Sequence, residues 1–219
     1  MGIIPRIKIC CISSREEAQL AVQFGASALG LVGHMPSGPG VIADDLIADI
    51  ARSAPPAIGT FLLTSETTAE KIIAHHKKVL TNTIQIVDAL QSGTYAEIRQ
   101  ALGPVKLVQV IHVTGEESLD EALRIAPMVD ALLLDSGNPN LAVKELGGTG
   151  RVHNWDISRR IVDASPAPVF LAGGLRADNV RAAIEAVQPF GLDLCSSVRT
   201  NHQLDPHKLE QFFKAALHP

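Results

Sequence analysis

Lys106-Leu107-Val108-Gln109-Val110-Ile111-His112-Val113 is an apolar, largely β-branched run, Glu116–Ile125 is an amphipathic segment, and Ala131-Leu132-Leu133-Leu134-Asp135 is a second apolar run. A short buried strand, a helical crossover and another buried strand make one parallel βαβ unit. The same alternation extends in both directions to the ends of the chain. Strands are expected at Ile7–Ile12, Ala28–Val32, Ile58–Leu63, Thr83–Val87, Lys106–Val113, Ala131–Asp135, Pro168–Ala172 and Gly191–Ser196. Helical patterns fall between and after them: Ser14–Phe24, Asp44–Arg52, Thr67–His76, Tyr95–Leu102, Glu116–Ile125, Asp156–Ala164, Ala177–Val187 and Asp205–Leu217. Two of the helix starts carry their own signals, Ser14 before Glu16 and Glu17, and Asp205 before Pro206. Eight such units form either an open doubly wound sheet or a closed (β/α)8 TIM barrel. The open fold usually places a Gly-rich turn after its first strand, and here that turn reads Cys10-Cys11-Ile12-Ser13, which favours the α/β barrel.

With 219 residues and no interdomain linker, residues 1–219 read as one barrel domain. Apolar residues at 46 % supply a buried sheet, and charged residues at 19 % are too few for disorder. The formal charge of −4 comes without a Lys/Arg block able to follow a phosphodiester backbone, so nucleic acid is not an expected partner. No apolar stretch has the length of a signal sequence or a membrane span, which points to a cytoplasmic protein with no membrane partner. Three cysteines, with Cys10 and Cys11 adjacent, make no disulfide framework and no metal-ligand spacing; reduced thiols are expected.

In a barrel of this kind the reactive groups lie where strands end and βα loops begin. Cys10 ends the first strand and Asp135 the sixth, and a thiol and a carboxyl facing one cavity can serve as base and acid. Each also has a structural reading, Cys10 as a small core residue and Asp135 as a cap. Gly147-Gly148-Thr149-Gly150 in the long loop 136–154, Gly173-Gly174 after the seventh strand and Ser196-Ser197 after the eighth share one rim. Glycine lets backbone N–H groups approach an oxyanion, so Gly148, Gly150, Gly173, Gly174, Ser196 and Ser197 are candidate phosphate ligands. No Lys-Ser or Lys-Thr follows Gly150, so a nucleoside-triphosphate loop has no support.

The histidines are not in metal order, and no metal is expected. His75 and His76, beside Lys77 and Lys78, read as a surface helix face, whereas His34 and His112 follow or end strands that lead to the mouth. Trp155 opens the sixth helix and reads as packing between helix and barrel.

Together these motifs resemble the phosphoribosylanthranilate isomerase family. Lys8-Ile9-Cys10-Cys11-Ile12 is similar to its Lys-Ile-Cys-Gly-Ile start. Leu133-Leu134-Asp135, Gly147-Gly148-Thr149-Gly150 with Trp155, Leu171-Ala172-Gly173-Gly174-Leu175 with Asp178-Asn179-Val180, and Asp193-Leu194-Cys195-Ser196-Ser197-Val198 follow in the family's order. The resemblance implies a cofactor-free Amadori rearrangement in tryptophan biosynthesis. In it Asp135 would protonate the furanose ring oxygen, the Cys10 thiolate would take the C2 proton, and the glycine rims would hold a sugar phosphate.

Several positions depart from the family pattern. After the second strand the family has Ser-Pro-Arg or Ser-Lys-Arg, whose arginine receives the anthranilate carboxylate; here the loop reads Ser37-Gly38-Pro39-Gly40. The family's Val-Gln-Leu-His-Gly appears as Ile84-Gln85-Ile86-Val87-Asp88, Cys11 replaces a glycine, and so does Ser197. From loop placement, His34 and Arg199 are the candidate aglycone contacts, with Arg176 a further nearby cation. Two other functions stay open, an isomerase of a different N-linked aminosugar phosphate and a noncatalytic sugar-phosphate-binding barrel. A monomer and a homodimer are both compatible with the sequence.

Overall fold

The computed structural model describes residues 4–137, 146 and 153–217. Its strands are β1 (Arg6–Ile9), β2 (Ala28–Val32), β3 (Gly59–Thr64), β4 (Thr83–Ile86), β5 (Lys106–His112), β6 (Ala131–Asp135), β7 (Val169–Leu171) and β8 (Gly191–Leu194). They alternate with α1 (Arg15–Gln23), α2 (Asp44–Ser53), α3 (Ala69–Val79), α4 (Tyr95–Leu102), α5 (Glu117–Ile125), α6 (Trp155–Ala164), α7 (Val180–Val187) and α8 (Pro206–Leu217). Each strand pairs in parallel with the next, and β8 pairs with β1, so the sheet is a closed barrel.

Two apolar clusters follow from the period-2 alternation of the strands. Leu107, Ile111, Leu132 and Leu134 face outward and pack with helix residues such as Ile47, Ile72, Ile98 and Ile161. Burying side chains of this kind contributes roughly 1.5–3 kcal/mol each. Val108, Val110, Ala131, Leu133, Phe61 and Phe170 belong to a second cluster without helix residues, the filling of the barrel itself. Phe170 packs edge-on against Phe61 and Phe190, with ring centroids 6.1 and 5.4 Å apart, which fills the barrel toward the N-terminal ends of its strands.

Local chemistry sets the helix starts. Ser14 accepts from the Glu17 N–H, Thr68 from Lys71, and Thr94 and Glu97 form a reciprocal capping box at α4. Some boundaries differ from the sequence expectation. The first strand stops at Ile9 rather than Ile12 because Cys11 takes a left-handed backbone (φ 62°), which ends the ladder. The eighth stops at Leu194, and a 3₁₀ turn, Ser196–Val198, follows. A small antiparallel pair, β9 (Arg199–Thr200) and β10 (Gln203–Leu204), precedes α8 and was not anticipated. Among the described residues no helix is long and apolar enough to cross a membrane.

Candidate active site

The alternation that fills the barrel also brings polar side chains into it. Lys8 points inward from β1 and is wholly buried, with its Nζ 2.8 Å from Asp193 Oδ1 on β8 and 5.3 Å from the centre of the Phe61 ring. Burial opposes the ammonium charge. The Asp193 carboxylate, with smaller contributions from Cys10 and Cys11, more than offsets this and raises the Lys8 pKa. Cys10 occupies the next inward position. Gly30 on β2 makes room for both side chains, since a Cβ there would lie 2.8 Å from the Cys10 sulfur and 3.0 Å from Lys8 Nζ.

Above this layer a cavity of about 190 Å³ opens at the C-terminal ends of the strands. Cys10 and Asp135 both line it, as do Gln85 from β4 and Asp193 from β8. Burial raises the Asp135 carboxyl above the usual carboxylate range, and the nearby Asp193 charge adds to the effect. The Ser136 N–H (2.7 Å to Oδ1), His112 and Lys8 oppose it. His112 is the registered neighbour of Asp135 on β5; its Nε2 is bound to the Val87 carbonyl at 2.9 Å, and its buried Nδ1 has no hydrogen-bond partner among the described residues.

On the arc between β6 and β1, where β7 and β8 end, Gly173, Gly174, Ser196 and Ser197 line the same cavity. Gly173 and Gly174 are consecutive left-handed residues (φ 82° and 63°), a backbone path that a side chain would strain. The Asn179 side chain fixes this turn by donating to the Gly174 carbonyl at 2.9 Å and accepting from the Arg176 N–H at 2.8 Å. The Ser197 hydroxyl is buried without a partner among the described residues. Gly148 and Gly150, with the rest of 147–152, lie outside the described residues; from that loop Leu146 lines the cavity.

The two residues named for the aglycone are not brought to the cavity. His34 is exposed and absent from the lining, its carbonyl accepting from Ser65 Oγ at 2.8 Å. Arg199 is turned inward behind β1, its side chain only 8 % exposed. Its guanidinium pairs with Glu17 at 2.8 Å and donates to the carbonyls of Cys10 and Cys11 at 3.3 and 2.6 Å, so its charge is spent on the β1–α1 connection. Arg176 does line the cavity, with its guanidinium bound to Asp178 at 3.0 Å.

His76 also departs from expectation. It is buried, with Nε2 2.7 Å from the Thr81 carbonyl, because Leu80 ends α3 in a left-handed turn that folds the chain back under it. His75 is tied to Thr64 and Asp44 at 3.0 and 3.1 Å. Trp155 packs half-buried against the outer cluster. Sequence reading missed the Lys8–Asp193 pair and the inward Gln85. The period-2 spacing of Lys8 and Cys10 was a usable signal for the first.

Fold and site define a (β/α)8 barrel in which a thiol, a carboxyl and a glycine- and serine-lined rim open on one cavity at the C-terminal ends of the strands. The chain belongs to the family described as N-(5'phosphoribosyl)anthranilate (PRA) isomerase, whose model matches residues 7–215. It is 30 % identical to the N-(5'-phosphoribosyl)anthranilate isomerase of Methanosarcina acetivorans, over 95 % of this chain and 92 % of that protein. It is 34 % identical to N-(5'-phosphoribosyl)anthranilate isomerase 2 of Methanosarcina mazei, over 90 % and 87 %. Phosphoribosyl anthranilate isomerase from Thermotoga maritima superposes with a TM-score of 0.79 at 27 % identity, covering 97 % of this chain and 98 % of that one. A phosphoribosyl anthranilate isomerase in complex with reduced 1-(o-carboxyphenylamino)-1-deoxyribulose 5-phosphate superposes at 0.76 with 25 % identity and the same coverage.

Proposed function

We propose that this chain isomerises N-(5'-phosphoribosyl)anthranilate to the corresponding 1-amino-1-deoxyribulose 5-phosphate, with Asp135 as the acid and Cys10 as the base. The isomerase activity and its place in tryptophan biosynthesis follow from the family. The observation that carries the residue roles is that Cys10, Asp135, Gly173–Gly174 and Ser196–Ser197 open on one cavity from four different strand ends.

The chemistry suits this arrangement. Asp135 gives its proton to the furanose ring oxygen, the C1–O bond breaks, and the anilino nitrogen forms a cationic imine. The imine acidifies C2, and Cys10 as thiolate takes that proton, leaving an enamine that tautomerises to the ketose. A carboxyl whose hold on its proton is strengthened by burial is suited to the first step. The buried ammonium of Lys8 places a fixed positive charge beside the Cys10 sulfur for the second. Gly173, Gly174, Ser196 and Ser197, together with Gly148 and Gly150, hold the 5-phosphate and so fix C1 and C2 between acid and base. No cofactor enters these steps.

The anthranilate carboxylate meets a loop without a cation. Ser37, Gly38 and Pro39 line the cavity where the family pattern has arginine, and Arg199 is committed to Glu17. The ring is therefore held mainly by apolar contacts, with Met35, Val32 and Leu63 on that side. The test is the loss of phosphoribosylanthranilate fluorescence on addition of purified protein; no loss at enzyme concentrations comparable with the substrate would end this reading.

A further inference from the structure

The chain has three cysteines, and all three line the same cavity. The β1–β8 pairing sets Ile9 opposite Leu194 and continues one step, with the Cys10 N–H donating to the Leu194 carbonyl at 2.8 Å. Cys10 and Cys195 thus stand side by side at the tops of neighbouring strands. Neighbouring strands lie about 4.8 Å apart, and disulfides span Cα separations of roughly 4.4–6.8 Å.

Continued alternation would send Cys11 outward, to the helix side. Its left-handed backbone instead returns the thiol to the inner cluster, against which Cys195 also packs. There the Cys11 thiol shares the cavity wall with Cys10 and Cys195 and lies 3.6 Å from the Pro39 carbonyl. A Cβ on Gly40 would come within 2.5 Å of Cys11 Cβ, so the β2–α2 loop presses the thiol into place.

The two outer thiols differ in chemistry. Cys195 is held below the usual thiol range by the neighbouring Cys11 thiol and by the Arg199 guanidinium, against the effect of burial. Cys11 is pushed above it by the neighbouring sulfurs of Cys10 and Cys195 and by burial. A low-pKa thiol beside a second thiol is the arrangement of a redox-sensitive pair. Among the described residues no group of three or more His, Cys, Asp or Glu side chains is placed to hold a metal ion.

We propose that Cys11 and Cys195 form an oxidative modification site, a dithiol that hydroperoxides convert to a disulfide across the β1 and β8 rims. The Cys195 thiolate attacks one oxygen of the hydroperoxide, the O–O bond breaks, and the alkoxide leaves as alcohol after taking a proton. Cys195 is then a sulfenic acid. Cys11 loses its proton and attacks the Cys195 sulfur, and hydroxide leaves as water. Two thiols are oxidised and one hydroperoxide is reduced to an alcohol and water. Cys10 keeps its thiol. The bond draws the chain before Ser196 and Ser197 toward β1 and so lowers isomerase activity, a consequence that rests on assigning this rim to phosphate. Formation of the bond does not rest on it.

The test is to treat the reduced full-length protein with one equivalent of tert-butyl hydroperoxide, alkylate free thiols and map tryptic peptides without reduction. The expected product links peptides 9–15 and 182–199, with fragment ions between Cys10 and Cys11 placing the bond on Cys11. It persists in Cys10→Ser and disappears in Cys11→Ser. Wild-type turnover should fall at least about tenfold as the link forms, the scale of a slightly misplaced site, and return with dithiothreitol. Absence of the link, or its location on Cys10, overturns the proposal. A complete link with turnover unchanged overturns the control of activity and the rim assignment behind it, while the modification site stands.

Discussion

Lys8 and Asp193, 185 residues apart in the chain, form an ion pair of 2.8 Å in which Lys8 is wholly buried and Asp193 borders the cavity. Removing one member of a buried pair leaves the other charge without compensation and costs roughly 3–5 kcal/mol, whereas replacing both with apolar residues costs far less. Lys8→Met should therefore destabilise the protein by about that amount, and Lys8→Met with Asp193→Leu should recover most of it. Urea unfolding of the three proteins measures both effects. Equal stability of the single variant and the wild type would mean that the pair does not hold the barrel seam.

Asp135 gives a prediction in pH. Its carboxyl is raised by burial, so the folded protein holds this proton more tightly than the unfolded chain. Stability from such a group is fully present below the unfolded value, near about 4, and is lost as pH rises through the higher folded value. Asp135→Asn has no proton to lose. The stability of the wild type relative to this variant should fall as pH rises from about 4 toward neutrality, as followed by urea unfolding at a series of pH values. A constant difference contradicts the raised carboxyl.

Arg199 should behave as a structural residue. Its pairing with Glu17 is nearly closed to solvent and braces the carbonyls of Cys10 and Cys11. Arg199→Met should lower unfolding free energy by about 3 kcal/mol or more. Affinity for anthranilate, read by fluorescence titration, should remain within about threefold, less than the tenfold that one lost charge-assisted contact brings. A large loss of anthranilate affinity in a fully stable variant would restore the aglycone role first read from its loop position.

The eight strand–helix units were legible because each strand is a short apolar run and each helix an amphipathic one, and both patterns depend on local sequence. Asp135 and Cys10 were visible as candidates for the same reason, each ending an apolar strand. What was hidden depends on closure. Lys8 and Asp193 meet only because β8 returns to β1, and Arg199 reaches Glu17 across the same seam. The left-handed turn at Cys11 has no signal in a Cys-Cys pair, and His76 looked exposed beside two lysines until the turn at Leu80 covered it.

The loop Ser37–Gly40 sets the expectation for the aromatic ring. A charge-assisted contact to a carboxylate contributes roughly 1.5–3 kcal/mol, or about ten- to hundredfold in affinity. Pro39 lines the cavity and is exposed, so an arginine there has room. Pro39→Arg should tighten binding of the reduced product analogue at least about tenfold in calorimetric titration. Unchanged affinity would mean that the carboxylate is held elsewhere on the rim.

The central claim is the division of labour between Cys10 and Asp135, and the most direct measurement is kcat for phosphoribosylanthranilate in Cys10→Ser, Asp135→Asn and Cys11→Gly. The first two should each lose at least about a hundredfold, the scale of a placed acid or base. Their unfolding midpoints should show no loss of fold, and Cys11→Gly should keep turnover close to that of the wild type. Near wild-type turnover in Cys10→Ser or Asp135→Asn, or a loss in Cys11→Gly as large as in Cys10→Ser, would contradict the assignment.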